Sequence, residues 1–153
     1  MQRLVELFCI HNIDCLWFVL GEEPVEVMSM SAVSLIGHNG VENQSQSIVL
    51  FASGLLAHTH ESHALAHYET AIEVYGTEGS LYGRGIMDER SVGRLYIRRG
   101  TKETEVPLQH RNLYGETISA FNRSVREEGR PLATGWDGVT SLTAALAVKK
   151  ISV

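Results

Sequence analysis

From Leu4 to Leu20 the segment LVELFCIHNIDCLWFVL is apolar on almost every helical face, broken mainly by His11, Asn12 and Asp14. It contains no proline, and Gly21 and Pro24 punctuate its end, so the pattern predicts a buried helix. From Val25 the pattern shifts to short β-type runs: VEVMSMSAVSLIG, SQSIVLFASG, LLAHTHES, YETAIEVYG and GRLYIRRG, each bounded by Gly, Asn or Ser. Runs that follow one another without a helical segment between them predict a mostly antiparallel sheet. After Pro107 helical spacing returns. Tyr114, Ile118, Phe121 and Val125 fall at i, i+4, i+7 and i+11, a stripe suited to lie on the sheet, and Gly129 with Pro131 closes the element. A last helix follows TGWDG, with Asp137 as its N-cap and Val139, Leu142 and Leu146 as its buried row.

A chain of 153 residues has room for one ordinary core, so residues 1–153 read as a single domain. The formal charge of -5 and the lack of any basic run beyond Arg98-Arg99 and Lys149-Lys150 argue against nucleic acid or an anionic membrane as partner. The longest apolar stretch, around Leu7 to Leu20, falls short of the roughly 20 residues a bilayer span needs. It also lacks the basic start and small-residue cleavage site of a signal peptide. Cys9 and Cys15 are six apart, on different helical faces, so they read as unpaired apolar residues of a reducing, cytoplasmic compartment.

The histidines invite a metal. LLAHTHESHALAH holds His58, His60, His63 and His67, four of the seven in the chain. His58 and His60, two apart in a strand, share a face, and His63 or His67 could curl back to complete a ligand set. The spacing matches no strong zinc pattern, however, and alternation sends Glu61 to the other face, so the expectation is a solvated or cleft-lining strand and no metal. The glycine-rich YGTEGSLYGRG lacks the Lys-Ser/Thr of a phosphate loop and opens no helix, which makes it a turn between strands. No G-x-G-x-x-G dinucleotide fingerprint and no G-x-S-x-G nucleophile turn occurs. His11 and Asp14, three apart on the first helix, form either a satisfied buried pair or an imidazole tuned by a carboxylate.

Taken as a set, these residues resemble a known family. HNIDCLWFVLGEEPVEV is similar to the H-x-x-D stretch, followed by L-L-G-x-x-P-x-x-V, that opens the C-terminal domain of the Gfo/Idh/MocA oxidoreductases. VLFASGLLAHTHES resembles that domain's strand-Gly-strand hairpin, and IEVYGTEGSL its V-x-G-T-x-G-x-L turn. YGETISAFNRSVREEGRPLATGWDGVTSLTAALA resembles its closing two helices. The matches run in order over about residues 4 to 150.

The resemblance implies an α+β fold: an open, mostly antiparallel β-sheet of about five to six strands backed by helices on one face. It implies that this chain is the substrate and oligomerisation domain of an enzyme whose N-terminal Rossmann domain binds NAD or NADP. The chain alone would then bind no cofactor and be inactive. The reaction would be hydride transfer on a sugar, polyol or related hydroxyl, and the domain would form a homo-oligomer through its sheet. His11 matches the family's catalytic His. Tyr114 lies where some members place a residue near substrate, and is equally the first apolar residue of its stripe. His58 and His60 are placed to touch a sugar hydroxyl or a partner chain, while Asp14 and Asp137 read as structural. The E-K-P lysine is absent here, and Leu7 stands where many members carry Asp; Glu6 lies about 140° around a helix from His11 and does not replace it. A rival reading is a non-catalytic dimerisation or carbohydrate-sensing module of the same fold.

Overall fold

The computed structural model describes residues 4–34, 40–88, 90–126 and 129–151, with side chains from 10 to 146 within those ranges. The side chains of Glu6, Leu7 and Cys9 and the end of the run predicted to reach Gly37 lie outside the described residues. The order is α1 (Leu4–Leu20), β1 (Pro24–Ala32), β2 (Gln44–Phe51), β3 (Leu56–Ser62), β4 (Ala71–Gly76), β5 (Gly79–Arg84), β6 (Arg94–Arg99), β7 (Lys102–Val106), α2 (Leu113–Val125) and α3 (Gly135–Ile151). The α+β class and the antiparallel pairing hold. Among the described residues there are seven strands where about five to six were expected, in a three-stranded sheet β1-β2-β3 and a four-stranded sheet β4-β5-β6-β7. The contacts divide the chain into two compact units, residues 1–66 with 133–153, and residues 67–132.

In the first unit, α1 stops where expected: Gly21 takes φ 67° and its N–H donates to the Trp17 carbonyl at 2.8 Å. The β2–β3 hairpin turns through Gly54, at φ 88°, where a side chain would be strained. Cross-strand register sets three rows against the helices: Val27-Val49-Ala57, Ser29-Ser47-Thr59 and Ser31-Ser45-Glu61. Between them lie the outward rows Met28-Ile48-His58, Met30-Gln46-His60 and Glu26-Leu50-Leu56. The polarity of this sheet is therefore inverted over much of its area. Ser29, Ser45, Ser47, Thr59 and Glu61 are buried, whereas Met28, Met30, Ile48 and Leu56 are exposed. The inward serines bond one another: Ser47 Oγ donates to Ser29 Oγ and Ser31 Oγ to Ser45 Oγ, both at 3.2 Å, whereas Thr59 Oγ1 has no partner among the described residues.

The helices pack differently from the sequence expectation. The face of α3 turned inward is small, with Ser141 and Ala145 buried and Ala144 beside Ile13 and Ile10 of α1. Val139, Leu142 and Leu146, the predicted buried row, are exposed. Periodicity marks the larger stripe, but the close approach of α1 and α3 selects the smaller one. Ala145→Leu should overpack that contact and lower the unfolding free energy by about 1–3 kcal/mol, read by urea denaturation.

The N-cap of α3 is also corrected. Thr134 takes that position, and Asp137, three residues on, accepts from Thr134 N at 2.6 Å and from Thr134 Oγ1 at 2.7 Å. The Asp137 N–H donates back to Thr134 Oγ1 at 3.3 Å, closing a capping box. The side-chain hydrogen bond from Thr134, and then the backbone one, hold the Asp137 carboxyl below its ordinary value. A depressed folded value stabilises the protein above the unfolded pKa, and the contribution is lost as pH falls through the folded one. Asp137→Ala should therefore lower Tm at neutral pH, and the gap from the parent protein should close below about pH 4, where the free carboxyl protonates.

The second unit pairs four antiparallel strands. Thr77 and Glu78 make the β4–β5 turn, and the remainder of the glycine-rich segment is a strand rather than a loop. At Gly79 a Cβ would stand 2.5 Å from the Arg98 carbonyl oxygen, and at Gly83 2.9 Å from Ile72 Cγ2. These two glycines serve close packing within the sheet. Helix α2 is capped by Asn112, whose Oδ1 accepts from Gly115 N at 2.9 Å. Its predicted stripe is not laid down on a sheet, because Tyr114, Ile118, Phe121 and Val125 are all exposed; only Ala120 among its residues is buried.

Candidate functional site around His11

Helix α1 is not buried all round, as its composition suggested: His11 faces solvent, and Phe18, seven residues on and so on the same stripe, is 88% exposed. The opposite face is fixed by Ile13, 4% exposed, which packs with Ala145. An apolar composition on every face says nothing of which face receives a partner, and α3 and the sheet cover only part of the circumference.

Nor is His11 half of a buried pair with Asp14. Asp14 is exposed, and its Oδ1 accepts from Ser141 Oγ of α3 at 3.0 Å. Asn12, one residue past His11, turns inward. Its Nδ2 donates to Glu61 Oε1 at 2.6 Å, a short charge-assisted bond to β3. Polar bonds thus tie α1 to its neighbours on both flanks, to α3 through Asp14 and to β3 through Asn12. Cys15 is half-buried; burial, and then the Asp14 charge, push its thiol above the ordinary range.

Alternation on β3 is as the sequence implied. His58 and His60 stand on the outward face and Glu61 on the inward one. His58 Nε2 lies 3.3 Å from Gln46 Oε1 across the outward surface. Among the described residues, no three His, Cys, Asp or Glu side chains group as a metal ion requires. His58 and His60 share a surface with Met28, Met30 and Ile48 rather than with His11, so the histidine-rich stretch and the helix histidine are separate features. Tyr114 occupies the first turn of α2 in the second unit, exposed. What the sequence reading missed was the Asn12–Glu61 bond. Its signal was present in HTHES, where alternation places an acidic residue on the helix-covered side of a strand.

The residues present do not form a cradle for a dinucleotide. Such a cradle needs glycines at a strand-to-helix turn with free N–H groups, whereas Gly79 and Gly83 are engaged in the packing of a hairpin. No described helix is long and apolar enough to cross a membrane.

A helix pair over one face of a three-stranded sheet, followed in the chain by an antiparallel four-stranded sheet, defines an α+β fold that carries a solvent-facing histidine. Residues 7–82 match the GFO/IDH/MocA C-terminal domain, and the chain belongs to that family. It is 40% identical over 141 residues to 1,5-anhydro-D-fructose reductase of Ensifer adhaerens, covering 92% of this chain and 42% of that enzyme. The solved UDP-N-acetylglucosamine 3-dehydrogenase of Acidithiobacillus ferrooxidans shares the fold, with a TM-score of 0.85 at 17% identity over 97% of this chain and 47% of that one. So does a 3-ketoreductase of Actinomadura kijaniata solved with TDP-benzene and NADP, with a TM-score of 0.82 at 16% identity over 95% and 46%. The chain spans less than half the length of each of these proteins.

Proposed function

We propose that residues 1–153 act as one functional domain, the substrate and oligomerisation part of an NAD(P)-dependent oxidoreductase acting on a sugar, polyol or related hydroxyl compound. The observation that carries this is the presentation of His11, at the family's histidine position, on an exposed helix stripe whose backbone is braced from both sides. What these residues supply is the proton step. As a secondary alcohol is oxidised, the hydroxyl proton passes to His11 Nδ1 or Nε2, and in the reducing direction the imidazolium returns it to the carbonyl oxygen. The nicotinamide accepts or delivers the hydride and is held elsewhere in the protein, so this chain by itself binds no NAD(P) and turns over nothing. Tyr114 is assigned to substrate contact.

The inverted sheet supports self-association. Monomeric proteins rarely expose a contiguous apolar patch as broad as Met28, Met30, Ile48 and Leu56 make together, and a second copy would cover it. His58 and His60 border that patch and are assigned to the partner contact or to a sugar hydroxyl at its edge.

The test is a chimera in which this chain replaces the matching part of the Ensifer adhaerens reductase. The reading predicts NAD(P)H-dependent turnover of a sugar-like carbonyl, and a folded chimera that binds NADH or NADPH without turnover would refute it. That outcome, with self-association retained, would favour a non-catalytic dimerisation module.

A further inference from the structure

We infer that Asn12 and Glu61 are positioning residues that set the direction of the His11 ring; this rests on the reading of His11 as the proton-transfer group. Helix α1 meets the rest of its unit along two lines. On one side Ile10, Ile13 and Asp14 engage α3 through Ala144, Ala145 and Ser141. These contacts are small apolar surfaces and one part-buried hydrogen bond, which resist translation better than roll about the helix axis. On the other side the Asn12–Glu61 bond, at 2.6 Å, reaches β3. It stops the roll.

Three features make that bond stiff. Glu61 is only 6% exposed, so water competes poorly for it. Its Oε2 has no partner among the described residues, so Asn12 is the donor on which this carboxylate depends. Glu61 is also held in a regular strand paired with Ser45, so the anchor cannot follow the helix. His11 is the residue adjacent to Asn12 on α1. With side-chain tips about 6 Å from a helix axis, a roll of about 20° displaces the ring by about 2 Å, and displacements near 1 Å already degrade reacting geometry. The helix fixes the Cα–Cβ bond from which the exposed His11 ring projects, so a roll carries the ring with it whichever rotamer it takes.

The test uses the chain labelled with ¹³C and ¹⁵N in histidine. Asn12→Ala is expected to lower the order parameter of the His11 ring into the flexible range and to speed amide exchange of residues 11–14 about tenfold. Glu61→Gln, which keeps a carbonyl acceptor for Asn12, is expected to leave both near the parent values. Should Asn12→Ala not fold, Asn12→Ser, polar but too short to reach Glu61, is read in the same way. In the chimera, Asn12→Ala is expected to lower kcat with KM unchanged. An unchanged His11 ring in a variant whose Tm has fallen would overturn the inference, leaving the bond a purely structural tie. Failure of the parent reading is separate: His11→Asn would then leave turnover intact while the ring measurement still decides the role of Asn12.

Discussion

Substituting His11 by Asn lowers kcat of the chimeric enzyme by about 10²–10⁴-fold, the range that a positioned acid-base group contributes. Asn keeps the polarity and approximate size of one edge of the imidazole but cannot take up a proton near neutral pH. Because the side chain is exposed and the packing of α1 rests on Ile10, Ile13, Asn12 and Asp14, the substitution should leave Tm nearly unchanged. An effect on KM alone would make His11 a binding group.

If the outward sheet surface carries the proposed self-association, placing a carboxylate there by Met28→Glu converts the protein to monomer. Met28 lies in register with Ile48 and His58, at the middle of the exposed apolar rows. A charge buried there without a partner costs about 3 kcal/mol, or roughly 100-fold in the dissociation constant. Light scattering across a dilution series reads the shift. Since Met28 is exposed within a single chain, monomer stability should hold, which separates loss of association from loss of fold. A parent protein that is monomeric at all working concentrations would remove the sheet from the account.

The sequence made some of this structure legible and hid the rest for identifiable reasons. Strands β1 to β4 and β6 follow alternation or β-branched runs, and all are where those runs predicted. Strand β5 reads as loop because Gly79 and Gly83 lie within it, and only the closeness of Arg98 and Ile72 shows why glycine is required. Strand β7, Lys102–Val106, is an edge strand with hardly any buried residue, so no hydrophobic signal marks it. Each helix was located, but α1 is covered on one side rather than all round, the stripe of α2 is exposed, and on α3 the periodicity marked a face other than the covered one. A stripe of Val139, Leu142 and Leu146 predicts a contact only if a partner is present to receive it, and Ser141 and Ala145 won because small side chains let α1 approach. The same logic governs the candidate site. His11 could be singled out by its place in HNID, but its exposure depended on which side of α1 the core took. His58 and His60 were correctly placed on one face by alternation, and Glu61, the residue after them, proved to be the one that reaches toward α1.

The central claim is that these 153 residues form the substrate-handling half of a sugar-directed NAD(P) oxidoreductase in which His11 moves the proton. Consumption of NADH or NADPH by the chimera, with and without His11→Asn, tests it most directly. The account predicts carbonyl-dependent oxidation of one of these nucleotides that falls by at least about 100-fold in the variant while its binding is unchanged. Equal rates in the two proteins, or a folded, nucleotide-binding chimera with no turnover, would contradict it.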